Sequence, residues 1–506
     1  MDQDLAFAKT SYGVGSRLKH PPTPEMRAFF QGIYLDHVDG PAFQSSIEIN
    51  IAHVLMLKEE SIIGADVAVA LLKELEALRQ RGAENFEFDA GIGDSLPNLE
   101  NHVIQALGDR TGGMLHIGRS RGDYYGTLSR MKYRTHMLEL MDHLLEFRRV
   151  LIRLVEQHPD SIMPGYTHLQ HAQPITLGYY FCAYVHELER DFARVANAYD
   201  RLNVSPLGLG IISSTSYPLN RQRTAQLLGF RGLLRNGRDL TDRDYAVEAG
   251  AAATITMIHL HKLATDLYEW ATSEFSMVRV DDGDALTSSM MPQKANPVLL
   301  EEVRVKTAMV IGDLVSLVTM VKGSPANNIE QTSGDIPALD AIDRTTASLK
   351  AFSAFLPRVA FDLKRMEHLV ALHWSQATDL ADTLVGGTEL SFREAHRVVG
   401  ALVASSIEKG IAPQQVSLAE LDAAAKSVLS SPVDLTHVNL AEALDPRRAI
   451  ERRQVEGGPA PSLVRAAARE ALQQFKADSA VVSDRKGQLS SSRDALFVEA
   501  KKLTHD

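Results

Sequence analysis

From Tyr125 to His158 the chain carries no proline, and no glycine after Gly126. Through this stretch Leu128, Met131, Leu138, Met141, Leu145 and Leu154 recur near helical spacing. One uninterrupted helix over that length spans about 50 Å at roughly 1.5 Å per residue. The stripe Phe181, Tyr184, Val185, Leu188, Phe192, Val195 and Tyr199 repeats the pattern. Residues Thr241 to Phe275 and Val298 to Val321 predict further long helices. Leu339 to His373 predicts another, with Pro357 as its kink or break. Several such helices in one central region imply an all-α fold built on a long bundle. Their apolar surface exceeds what one short bundle covers, so the expectation is an oligomer; a monomer that covers its own helices is the alternative.

Flanking the bundle, the pattern changes. Residues 1–115 read as short helical pieces separated by loops such as Gly91 to Pro97, and form an N-terminal domain. Residues 116–370 form the central domain. From 371 to 506 shorter helices are divided by Pro413, Pro432 and Pro446. Gly457 to Ser462 is a clear break before a helical run from Leu463 to Lys476. The final stretch, Ser483 to Asp506, is polar and is expected to be partly disordered.

Charge and cysteine content narrow the function classes. With 53 basic and 64 acidic residues the net charge is −11, which disfavours a general nucleic-acid or anionic-membrane surface. Cys182 is the only cysteine, so neither an intrachain disulfide nor a cysteine-based metal site is expected. The opening residues Met1 to Asp4 lack the apolar core of a signal peptide, and no apolar run reaches the roughly 20 residues of a membrane span. These features predict a soluble, cytoplasmic protein.

Three polar clusters stand out. Thr287 to Pro297 packs Ser288, Ser289, Lys294 and Asn296 between two prolines and feeds the helical run that starts at Val298. A polar loop at a helix N-terminus suits an anion, because unpaired N–H groups point outward there. Lys294 adds a positive charge, Asn296 a donor, and Ser288 a hydroxyl that a proton abstraction could use. Read alone, such a loop is more often a surface turn with ordinary helix-capping serines. Gly118-Arg119-Ser120-Arg121-Gly122-Asp123 precedes the first long helix. Its arginines suit bidentate carboxylate binding, although Asp123 could be a helix cap and the arginines a solvated face. In Tyr166-Thr167-His168-Leu169-Gln170, Thr167 can donate a hydrogen bond and His168 can move a proton near neutral pH. His168 and His171 lack the other residues of a metal-ligand pattern.

Together, and in their order along the chain, the three clusters resemble the argininosuccinate lyase/δ-crystallin branch of the fumarase–aspartase superfamily. Thr215 to Arg221, Thr241 to Glu248 and Gly457 to Pro461 are supporting matches, and the resemblance covers roughly residues 90 to 465. It implies a homotetramer with one large central bundle and active sites built from different subunits. It also implies reversible elimination of fumarate from an N-substituted aspartate, with no metal or organic cofactor. The implied roles make Ser288 the base, His168 the acid or its orienter, and Glu301 the charge partner of His168. Lys294, Asn296 and loop amides would stabilise the enolate-like dianion. Ser120, Arg121 and Thr167 would hold the succinyl carboxylates, and Gln170 is a further substrate-binding residue.

The chain departs from the family pattern where the substrate's amine arm is held. Gly122 stands where the family has Asn, and Leu96 where it has His, after the retained Asp94. Asn327 replaces a Tyr, Ile329 a basic residue, Thr332 a Gln and Asp335 a Lys. Asn327 and Thr332 are therefore candidate arm contacts of altered chemistry. The expectation is a carbon–nitrogen lyase for an N-substituted aspartate other than argininosuccinate, of the ethylenediamine-disuccinate type. The alternatives are a genuine argininosuccinate lyase and, less favoured, a catalytically silent scaffold like the family's lens proteins. The presence of Ser288, Lys294, Asn296, Thr167 and His168 speaks against silence.

Overall fold

The computed structural model describes residues 23–25, 28, 40–89, 94–323 and 335–505. Two packed helices lead, α1 (Gly40–Glu59) and α2 (Ala65–Arg81), followed by α3 (Ser95–Leu107). Five long helices come next: α4 (Arg121–Gln157), α5 (Leu177–Leu202), α6 (Asp244–Trp270), α7 (Val298–Val321) and α8 (Asp335–Phe355). Then come α9 (Leu363–Leu372), α10 (Ala377–Gly387), α11 (Phe392–Lys409), α12 (Leu418–Val428) and a closing helix α13 (Pro461–His505). Strands are few. A hairpin, β1 (Ile162–Thr167) and β2 (Gln170–Thr176), joins α4 to α5, and a second, β3 (Leu286–Thr287) and β4 (Ala295–Asn296), lies between α6 and α7.

Local chemistry sets the helix ends. Ser120 caps α4 by accepting the Gly122 N–H at 3.3 Å, and its own N–H donates to Asp123 Oδ1 at 2.8 Å in a capping box. Thr176 caps α5 through the Tyr179 N–H. Pro357 ends α8 in a single 3-10 turn, as the sequence predicted.

The five long helices alternate in direction. Tyr245, at the start of α6, meets Tyr133 near the start of α4, with ring centroids 5.4 Å apart. At the other end Trp270 stacks on Tyr180 near the start of α5, and Tyr268 of α6 donates to Glu301 of α7 at 3.0 Å. The shared core holds Met137, Leu144, Leu188, Leu263, Leu317 and Phe352. A separate core around Phe43, Leu71 and Leu99 lies near the α4 N-terminus, and another around Leu380, Val398 and Leu421 serves α10 to α12.

The expected disorder after Ser483 is corrected: α13 continues to His505. It runs back along the molecule. Near its start Arg465 pairs with Asp160; further on, Asp478 meets the fully buried Arg148 at 2.5 Å. Arg485 then reaches Asp200 at 2.8 Å and Arg493 reaches Glu48 at 2.6 Å. Val464, Ala468, Ala471, Val482 and Leu496 are buried against the body. The segment is polar because most of its surface faces outward.

α7 is apolar on two sides. Leu300, Val303, Val310 and Leu317 are buried, while Val305, Met309, Ile311, Val315 and Val318 are exposed, Val315 by 63%. No helix among the described residues is long and apolar enough to cross a membrane.

Candidate active site

The Ser288 loop is a short hairpin that pairs Leu286 with Asn296 and Thr287 with Ala295. The Ser288 oxygen accepts the backbone N–H groups of Met290 at 3.2 Å and Met291 at 3.0 Å. Donors aimed at a hydroxyl oxygen stabilise its ionised form over its neutral form. Lys294 is exposed and makes no ion pair among the described residues; Asn296 is half-buried one residue before Pro297, the cap of α7. The loop is open, with Met290 87% exposed.

Thr167, His168 and Gln170 occupy the tip of the β1–β2 hairpin, and all three are exposed. His168 and Leu169 form its two-residue turn with φ of 55° and 56°. Positive φ at both central residues belongs to the primed turns that match strand twist, and glycine or asparagine usually supplies it. The hairpin base is packed: Tyr166 lies edge-on to Phe275, and His171 lies 4.1 Å from His373, ring centre to ring centre. Burial, and then the neighbouring His373, pushes the His171 pKa down to about 4.

Ser120 and Arg121 lie at the opposite end of the bundle, at the N-terminus of α4. The Ser120 hydroxyl serves as the helix cap. Arg121 is half-exposed and paired with the buried Asp94. Asp123, weighed as a cap, is part of the capping box, and its second oxygen accepts the N–H groups of Gly208 at 2.8 Å and Gly210 at 3.0 Å. These bonds pin the loop that follows α5 to the start of α4.

A helix of 37 residues separates Arg121 from Gln157, which is about 55 Å at roughly 1.5 Å per residue. The β1–β2 hairpin follows the far end, and the Ser288 loop opens at that same end, after Trp270 and before Glu301. One chain therefore does not bring Arg121 to Ser288 or His168. Nor does it pair His168 with Glu301, whose carboxylate accepts from Tyr268 instead.

The altered arm positions have physical correlates. A Cβ on Gly122 would stand 2.5 Å from Ile211 Cδ1, so Ile211 occupies the space a side chain there would need. Leu96 is buried. Asp335 and Arg243 are both buried and line a cavity of about 250 Å³ with Tyr125, Ser129, Lys132 and His136. Arg243 Nε and Asp335 Oδ1 stand 3.8 Å apart, and among the described residues neither atom has a hydrogen-bond partner. Asn327, Ile329 and Thr332 lie outside the described residues. Sequence reasoning missed Tyr125, whose hydroxyl bonds Asp94 at 2.5 Å; the two are 31 residues apart and no local pattern links them. Among the described residues no cluster of His, Cys, Asp and Glu could hold a metal ion.

Comparison with known proteins supplies the family. Residues 42–312 match a lyase family model, and residues 374–451 match the argininosuccinate lyase C-terminal model. The chain is 36% identical over 450 residues to the argininosuccinate lyase of Methanosarcina acetivorans, covering 88% of this chain and 89% of that one. It is 35% identical over 492 residues to argininosuccinate lyase 1 of Shouchella clausii, covering 95% and 97%. Among solved structures, an EDDS lyase variant with bound fumarate superposes with a TM-score of 0.85 at 29% identity, covering 96% of this chain and 97% of that one. The chain belongs to the argininosuccinate lyase branch of the fumarase/aspartase superfamily and is a carbon–nitrogen lyase.

Proposed function

We propose that this lyase eliminates fumarate from an N-substituted aspartate in sites shared between copies of a cytoplasmic homotetramer. The observation that carries the chemistry is the pair of loop amides on the Ser288 oxygen. Ser288, ionised under those donors and the charge of Lys294, takes the Cβ proton. The electrons of that bond pass through an enolate-like dianion, held by Lys294, Asn296 and loop N–H groups, and then form the C=C bond as the C–N bond breaks. His168, oriented by Glu301 of another copy, supplies or directs the proton that the amine takes away. Ser120, Arg121, Thr167 and Gln170 hold the two carboxylates. The step needs a base, an acid and preorganised charge, and side chains and backbone provide all three without a metal or organic cofactor.

Sharing of sites is supported by the length of α4, which keeps Arg121 about 55 Å from the Ser288 end of its own chain. The exposed apolar face of α7 gives the copies a surface to bury. The buried, lone Cys182 is consistent with a reducing compartment.

For the leaving amine, an aminopolycarboxylate arm of the ethylenediamine-disuccinate type is the first choice. It is supported by Ile211 standing over Gly122, by the apolar Leu96, and by the similarity to EDDS lyase. Asn327 and Thr332 are proposed as further arm contacts. Arginine is the second choice, favoured by the printed names of the relatives. Ser288→Ala tests the chemistry: elimination should vanish while the assembly persists in sedimentation, and surviving activity would remove Ser288 as the base.

A further inference from the structure

Asp94 sits at the N-cap of α3, where an aspartate ordinarily accepts the N–H of the second or third helical residue. It makes no such bond. The Tyr125 hydroxyl has taken the place: it accepts the Leu96 N–H at 2.9 Å, lies 3.2 Å from Ser95 Oγ, and donates to Asp94 Oδ1 at 2.5 Å. The backbone carbonyl of Asp94 is held separately, by the Asn98 amide at 2.9 Å. With the helix end satisfied by the phenol, the buried Asp94 carboxylate is left to Arg121, and its Oδ2 meets that guanidinium. Arg121 and Tyr125 lie one turn apart on α4, so one helix presents both the cation and the hydroxyl that aims the carboxylate at it. Burial pushes the Tyr125 pKa far up, which keeps the phenol a donor at any working pH.

We propose that Tyr125 is a positioning residue for the lyase reaction: by filling the α3 cap it releases Asp94 to fix Arg121 in the orientation that receives a substrate carboxylate. This rests on the assignment of Arg121 as a carboxylate-binding group. A guanidinium has five N–H donors in a planar fork, so it can hold Asp94 and a substrate carboxylate together, with the first contact setting the angle of the second. Without the hydroxyl, Asp94 can reach the Leu96 N–H itself and become an ordinary cap, turned away from Arg121.

The test uses the full-length assembled enzyme and three variants, Tyr125→Phe, Asp94→Asn and Arg121→Lys. Fumarate affinity is measured by calorimetry and KM and kcat by fumarate release. Tyr125→Phe should weaken fumarate binding and raise KM by about tenfold, the scale of one charge-assisted hydrogen bond, with little change in kcat. Asp94→Asn should do the same, since asparagine can cap α3 but cannot pair with Arg121. A crystal structure of Tyr125→Phe should show Asp94 bonded to the Leu96 N–H. If Arg121→Lys weakens fumarate binding but the other two do not, the positioning role is overturned and the role of Arg121 stands. If none of the three changes fumarate affinity, the assignment of Arg121 itself is overturned. A lowered melting temperature for Tyr125→Phe with unchanged affinity would mean a purely structural tyrosine and would also overturn the proposal.

Discussion

Two inactive variants should restore each other when mixed. Arg121→Met removes the cation proposed to bind a substrate carboxylate at one end of the bundle, and Ser288→Ala removes the proposed base at the other. The 37 residues of α4 set these ends about 55 Å apart, so on the proposed assignment a site takes Arg121 from one chain and Ser288 from another. In tetramers assembled at random from equal amounts of the two variants, a given site draws Arg121 from a Ser288→Ala chain with probability about one half. It draws Ser288 from an Arg121→Met chain with probability about one half, so about one site in four is intact. Co-expressed or co-refolded mixtures should therefore recover about a quarter of the unsubstituted enzyme's rate of fumarate release, while each variant alone stays silent. The fraction should follow the product of the two input fractions. A mixture as inactive as its parents, with mixed tetramers present by native mass spectrometry, would refute shared sites.

Other outcomes follow from the same structure. Asp478→Ala strips the fully buried Arg148 of its closest partner and should cost about 3 kcal/mol of stability, the low end for a broken buried pair because Glu189 remains 3.6 Å away; denaturant unfolding measures it. Val315→Asp puts a charge on the exposed apolar face of α7 and should shift the assembly toward smaller species in sedimentation, with helical content kept. His171 has an ordinary pKa of 6.5 that is pushed down to about 4 in the fold, so its neutral form is the one that fits. Its contribution to stability is intact above about 6.5 and is lost as pH falls toward 4. The melting temperature should drop over that window, and His171→Asn should flatten the drop.

The bundle was legible because its signal is local. Long runs without proline or glycine, with apolar residues at helical spacing, gave the α4, α5 and α7 helices nearly to their ends. Of the closing helix, Leu463 to Lys476 reads as helical, but from Ser483 onward it reads as a partly disordered tail because its stripe is diluted. Buried Val464, Ala468, Ala471, Val482 and Leu496 keep helical spacing, but Asp478 and Arg485 fall on the same stripe and reach buried or distant partners. A charge that lies on an apolar stripe at helical period is the signal that could have found it. The Ser288 loop, the His168 hairpin and the Ser120–Arg121 start were visible as polar islands in an apolar chain. Their separation was not, because it depends on which end of a long helix each one occupies. The Tyr125–Asp94–Arg121 network was invisible for a related reason, since it joins two helices through side chains 31 and 27 residues apart in sequence.

Fumarate release, followed by ultraviolet absorbance, from argininosuccinate beside a panel of N-substituted aspartates tests the central claim most directly. Turnover of at least one panel member, abolished by Ser288→Ala, is the predicted result, with aminopolycarboxylates such as ethylenediamine-disuccinate ahead of argininosuccinate. Faster release from argininosuccinate would keep the chemistry and overturn the choice of amine. No fumarate from any of them would contradict the account.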